Sequence, residues 1–209
     1  MNAEKSSNRK VLTLLGERIF NYISYIALFV LTLAAYFVFQ LSDYYSESIE
    51  TGKQWNSFSR QLDLTAGYLQ QLKQPIEDVR KNHSWHTEKI QAELAGTALK
   101  RHLDNMISEM PTTIIKNKPE IENLLKQFRN DHTKLVESAM DVFSSIQKNN
   151  LKESNEHEII FNSQYMILDK QLRQIESENQ ISYERFLTLQ IESFNHLIFK
   201  TFSFLVVLL

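Results

Sequence analysis

Residues 121–146 read IENLLKQFRNDHTKLVESAMDVFSSI. Ile121, Leu125, Phe128, His132, Leu135, Ala139, Val142 and Ile146 recur three and four residues apart. That spacing puts them on one face of an α-helix, with charged and amide side chains on the other. A half-buried strand would alternate at every second residue, and this stretch does not. Pro119 precedes it at a first-turn position, where its missing N–H is not needed, and Asn149 and Asn150 mark its end. His132 is the one ionisable residue on the stripe. A polar group in such a seam commonly fixes register or oligomeric state.

The same period extends in both directions. Upstream, Pro111 to Lys118 forms a short connection. A second helix is expected from near Ser84 to about Glu109, with Ile90, Leu94, Ala98, Leu103, Met106 and Met110 on its apolar face. Before it, Leu41, Tyr45, Ser48, Gly52, Trp55, Ser59, Leu62, Ala66 and Leu69 form a narrow coiled-coil-like seam, which Pro75 is expected to interrupt. Downstream, Asn155 and Glu158 stand at capping-box spacing. The stripe Phe161, Tyr165, Leu168, Leu172, Ile175 and Asn179 follows, then resumes at Tyr183, Leu187, Phe194 and Ile198. Asn179, like His132, is a polar group in a seam. Four helices with short connections predict an all-α fold, an antiparallel four-helix bundle. Trp55, Tyr68 and Trp85 read as packing residues within it.

Composition agrees. With Gly 4 and Pro 3 in 209 residues, turn-rich sandwiches, barrels and Gly-rich phosphate loops are excluded. Cys 0 excludes disulfides, zinc–thiolate sites and a cysteine nucleophile. A net charge of −2 leaves no basic footprint for nucleic acid.

The helical pattern runs out of the polar region into apolar ends. From Ile19 to Ser42 the chain reads IFNYISYIALFVLTLAAYFVFQLS without a charge. As a helix this run spans about 36 Å, enough to cross a bilayer. It is too long for a signal peptide's apolar region, and no small-residue cleavage pattern follows it. Lys5, Arg9, Lys10 and Arg18 precede it, while Asp43, Glu47 and Glu50 open the other flank. The positive-inside rule then places the N-terminus in the cytoplasm. After Glu192 the only charge is Lys200, and TFSFLVVLL closes the sequence like the first part of a second span. The chain is accordingly expected to be a piece of a longer one. The expected organisation is a cytoplasmic N-terminus (1–18), a first transmembrane helix (19–42), an extracytoplasmic sensor domain (43–195) and the start of a second transmembrane helix (196–209).

This layout resembles the N-terminal half of bacterial transmembrane receptors: chemotaxis transducers, sensor histidine kinases and membrane diguanylate cyclases with periplasmic four-helix-bundle sensors. Residues 72–79, Leu-Lys-Gln-Pro-Ile-Glu-Asp-Val, are similar to a Leu…Pro-x-Asn-Asp-Val-Phe turn between the first two helices of some such sensors. Glu77 stands where those have Asn, and Arg80 where they have Phe. The resemblance implies an inner-membrane protein that relays binding of a small molecule or periplasmic protein by helix displacement. It also implies a homodimer, with lipid as the other partner and a linker and output domain after the second span. The alternative is a membrane-anchored coiled-coil tether that transmits nothing.

Candidate site residues are few. Arg60, Arg80, Arg101 and Arg129 could pair bidentately with a small carboxylate or phosphate, and Arg101 stands between Leu99 and Leu103 beside the apolar face. His83, Trp85 and His86 are expected to meet His157 at the membrane-distal tip. There the imidazoles could sense acidification, although a solvated helix end explains them as well. Two histidines three apart are too few to indicate a metal, and no metal or cofactor is expected. No Gly-x-Ser-x-Gly, His-Glu-x-x-His or Glu-x-x-His occurs, and Glu192 and His196 are four apart. No catalytic residue is therefore assigned.

Overall fold

The computed structural model describes residues 2–82, 84–111 and 119–208, with side chains described for 16–79, 84–111 and 119–203. The described residues are helical and contain no strand. Helix α1 runs Asn2–Asn82, α2 Trp85–Ser108, α3 Pro119–Gln147 and α4 Leu151–Leu208. Apart from Pro111, the expected connection between α2 and α3 lies outside the described residues. The chain divides into two compact units, one ending at Glu50 and the other beginning at Thr51.

In the first unit α1 carries the apolar run, and it is the one described helix long and apolar enough to cross a membrane. Phe20, Tyr22, Tyr25, Leu31 and Phe39 are all exposed. The hydroxyls inside the run are satisfied by their own helix. Ser24 Oγ donates to the Phe20 carbonyl (2.9 Å) and Thr32 Oγ1 to the Leu28 carbonyl (2.8 Å). A polar side chain bonded in this way leaves nothing unpaired toward an apolar surround.

In the second unit all four helices contribute to one apolar core. On α1 the buried positions are Thr51, Trp55, Phe58, Leu62, Thr65, Leu69, Leu72, Ile76 and Val79, an unbroken alternation of four and three. This corrects the expected register: Ser59 and Ala66 are exposed, and Phe58 and Thr65 take their places. Burying a phenyl ring removes far more apolar area from water than burying a serine. Tyr45, expected on the same seam, is also exposed. Pro75 does not interrupt the helix, which continues to Asn82, so the run 72–79 is helical and no turn lies within it. Proline forfeits one backbone hydrogen bond there. Burial of Leu72, Ile76 and Val79 around it holds the segment in place.

Helix α2 shows the largest departure. Its buried face is Glu88, Ala92, Ala95, Gly96, Leu99, Leu103 and Met106, while Ile90 and Leu94 are exposed. The reason is close packing. A Cβ added at Gly96 would lie 2.8 Å from Val136 Cγ2, so only small residues let α2 approach α3 so nearly. On α3 the expected stripe is buried, with Ser138, Phe143 and Ser145 added.

Cross-helix contacts fix the neighbours. Thr65 Oγ1 donates to Met106 Sδ (3.3 Å), and the rings of Tyr68 and His102 lie 5.3 Å apart, joining α1 to α2. His102 Nε2 donates to the Gln61 carbonyl at 2.9 Å. Asp104 pairs with Arg129 between α2 and α3. Gln171 Nε2 donates to Asp131 Oδ2 (2.8 Å) between α3 and α4. Asn179 Nδ2 donates to Ser59 Oγ (2.8 Å) and the Tyr165 hydroxyl to Gln70 Oε1 (3.1 Å), joining α4 to α1. Between α1 and α2, and between α4 and α1, residue numbers fall on one helix as they rise on the other.

The α3–α4 turn corrects one more expectation. Helix α4 starts at Leu151, and the cap is Asn150 rather than Asn155. Asn150 Oδ1 accepts from the Glu153 N–H (3.3 Å), and Glu153 Oε2 accepts from Asn150 Nδ2 (2.8 Å). Asn149 adopts φ 57°, a left-handed conformation that Asn tolerates. Asn150→Ala is expected to lower stability by about 1 kcal/mol, read as a drop in the midpoint of thermal unfolding. No change would mean that the cap is not formed in solution. Farther along α4, Leu187, Phe194 and Ile198 are exposed rather than buried.

Candidate functional site

The sequence-derived candidates do not gather into a site. Arg60 on α1 and Arg101 on α2 are exposed, and Arg129 on α3 is engaged by Asp104. No contact among the described residues joins the three. Trp85 and His86 stack edge to face with each other, their rings 5.5 Å apart. His157 Nε2 faces Glu153 Oε1 on its own helix at 3.6 Å. His83 lies outside the described residues, as does the Arg80 side chain. Among the described residues no group of three or more His, Asp or Glu could hold a metal.

The structure instead opens a cleft of about 310 Å³ between α1 and α4, lined by Trp55, Ser59, Asp63, Glu176, Asn179 and Tyr183 among others. The 4–3 seam brings Trp55 inward from α1, and the corresponding stripe on α4 brings in Asn179. Trp55 is 1% exposed and Asn179 4%. Each keeps one buried polar atom without a partner: the Trp55 Nε1–H donor and the Asn179 Oδ1 acceptor. Leaving such a group unpaired costs about 1–3 kcal/mol, so natural folds rarely do so without a reason. The Trp55 and Tyr183 rings lie 6.1 Å apart, tilted by 43°. Burial, reinforced by the negative charge of Asp63, raises the Glu176 carboxyl above the usual carboxylate range, against the pull of Arg173. Arg173 itself is bonded to Asp169 at 2.9 Å. None of the lining residues is Lys, Arg or His. The cleft is therefore an aromatic-walled, electronegative groove with a free donor and a free acceptor at its base.

Two other features are less complete. A second cleft of about 350 Å³ between α1 and α2 is lined by Pro75, Leu94, Ala98 and glutamines, with no charged group. His132 is buried (3% exposed) with both ring nitrogens unpaired. Burial and the Lys100 charge hold its pKa down at about 4. Asp104 and the Gly96 backbone oppose that shift, but no hydrogen bond closes to either ring nitrogen. His132 keeps the seam position expected for it. Asn179 proves to be more than a seam residue, because it lines the cleft. Its free oxygen could not be foreseen, since an asparagine on a stripe gives no sign of which of its atoms finds a partner.

The fold and the cleft define an all-helical protein with one candidate membrane-crossing helix near its N-terminus and a ligand-sized groove in its second unit. No family model matches the chain, and no solved structure matches it. The larger similarity is to part of the SbcCD nuclease of Staphylococcus haemolyticus (strain JCSC1435): one of its polypeptides is 28% identical to this chain over 116 residues. That stretch is 56% of this chain and 11% of the nuclease polypeptide, so the chain spans about a tenth of that relative's length. In a helical chain of restricted composition such a likeness follows from shared residue usage and apolar spacing, and it carries no activity across.

Proposed function

We propose that the chain is the sensing and transmembrane portion of a bacterial receptor, similar to a sensor histidine kinase or chemotaxis transducer. In this reading residues 43–195 form an antiparallel four-helix bundle outside the cytoplasm. Residues 19–42 and 196–209 enter the inner membrane, and basic residues hold the N-terminus in the cytoplasm. A homodimer forms through α1 and α4. The falling residue order in contacts between α1 and its neighbours supports the bundle.

The observation that carries the reading is the cleft between α1 and α4 with its unpaired Trp55 and Asn179 atoms. A ligand that satisfies those atoms favours the helix packing in which it can reach both. Such differential affinity is what shifts a two-state equilibrium. A small slide or rotation of α4 against α1 then carries the signal toward the membrane.

The topology is tested by fusing alkaline phosphatase or a fluorescent protein after Glu120. The reading expects an active phosphatase and a dark fluorescent protein, and the reverse result would sink it. The motion is tested by disulfide crosslinking, for which the chain is well suited because it has no cysteine of its own. Pairs introduced at exposed positions of α1 and α4 should change crosslinking rate with signal. Rates that stay constant under every signal that alters output would favour the passive tether.

A further inference from the structure

The cleft can be read for the chemistry it would accept. Its free acceptor, Asn179 Oδ1, needs a donor, and its free donor, Trp55 Nε1–H, needs an acceptor. Asp63 and Glu176 lie near enough to repel each other, and the lining holds no cation to balance them. Trp55 and Tyr183 present aromatic rings, whose faces attract cations. An anion is disfavoured by the two carboxylates. A bare metal ion would make no use of the tryptophan donor or the aromatic walls. A cavity of about 310 Å³ suits a molecule of a few heavy atoms.

We propose that this cleft binds a small organic ammonium ion carrying one hydrogen-bond-accepting oxygen. Asp63 and Glu176 meet the charge, Asn179 Oδ1 accepts an ammonium N–H, and Trp55 Nε1–H donates to the oxygen. The assignment of a signalling role to this binding rests on the receptor reading above, whereas the binding itself does not.

The test uses the full chain in detergent micelles, titrated calorimetrically with 2-aminoethanol as the probe. Ethylamine (the same charge without the oxygen) and glycine (which adds a carboxylate) serve as comparators. In a Trp85→Phe background Trp55 is the sole tryptophan, so its emission reports binding at the cleft. Saturable binding of 2-aminoethanol is expected, with weaker binding of ethylamine and weaker still of glycine. Asp63→Asn with Glu176→Gln should weaken 2-aminoethanol binding by about tenfold or more, as loss of charge-assisted hydrogen bonds does. Trp55→Phe keeps an aromatic wall and removes the donor, so it should abolish the preference for 2-aminoethanol over ethylamine. Circular dichroism of each variant confirms that it is folded. Several results would overturn the proposal: no saturable binding by the folded chain, glycine binding as tightly as 2-aminoethanol, calcium chloride saturating the Trp55 signal in place of the amine, or carboxylate variants that bind unchanged. Trp55 emission that follows protein concentration and ignores the amine would also overturn it, since a second copy of the chain would then fill the cleft. Failure here leaves the fusion topology untouched. Amine binding without any change in α1–α4 crosslinking would instead remove the receptor reading and leave the site standing.

Discussion

Replacing Gly96 with leucine is expected to destabilise the protein by about 3 kcal/mol or more, the upper range for forcing extra volume into a packed interface. Even the first added carbon would lie 2.8 Å from Val136 Cγ2 and 3.4 Å from Cγ1. Val136 cannot swing aside cheaply, because a β-branched side chain on a helix has one strongly preferred χ1 rotamer. Helices α2 and α3 must therefore separate. Gly67 is the internal control: it is also helical, exposed, and a Cβ there meets nothing within 4 Å. Gly67→Ala should raise stability by up to about 1 kcal/mol through helix propensity alone. Gly96→Ala should not show that gain unless Val136→Ala is added, which makes room for the new methyl. Thermal and urea unfolding of the four variants in micelles, combined as a double-mutant cycle, measures the coupling. Equal stabilisation by the two Gly→Ala changes would show that the helices do not approach this closely.

Acid should selectively unfold the wild-type protein through His132. The folded state holds this imidazole neutral, with a pKa lowered to about 4 against the ordinary 6.5. Between those values the unfolded chain binds a proton that the folded chain refuses, so stability falls as pH falls. The contribution is fully present above about pH 6.5 and is lost on descent toward pH 4. The difference between the two pKa values corresponds to about 3 kcal/mol. Other groups act differently. Hydrogen bonds from Gln171 and Lys134 lower the Asp131 pKa, so its contribution is lost only below the ordinary carboxylate range. The raised Glu176 carboxyl works in the opposite sense, favouring the folded state as pH falls. Subtracting the curve of His132→Leu from that of the wild type isolates the histidine, because both carboxylates are common to the two. The leucine variant should also be at least as stable at neutral pH, since it replaces two unpaired ring nitrogens with apolar volume. Parallel acid arms for the two proteins would show that His132 is hydrated or hydrogen-bonded in solution.

These two residues illustrate what could be read in advance. His132 was legible because it interrupts an otherwise apolar stripe at a fixed helical phase. Gly96 was not, because nothing along α2 announces that Val136 will face it. The same contrast holds for the cleft. Trp55 and Asn179 could each be placed on an inward stripe, yet the arginines, whose side chains suggest recognition, proved to be exposed or ion-paired. The groove exists only where α1 and α4 lie side by side, and its character comes from atoms left without partners there.

The amino-acid order alone determined the helical class, the extent of α2 and α3, and the uncharged run from Ile19 to Ser42. Period, proline placement and charge spacing act within one helix turn or one continuous segment, so they need no partner to be read. Which of two adjacent positions turns inward was decided by tertiary packing: Phe58 over Ser59, and Ala92 with Gly96 over Ile90 and Leu94. The same packing carried α1 through Pro75. A helix can rotate by a fraction of a turn at little local cost, and the shape of the facing helix selects the rotation that buries the most without a clash.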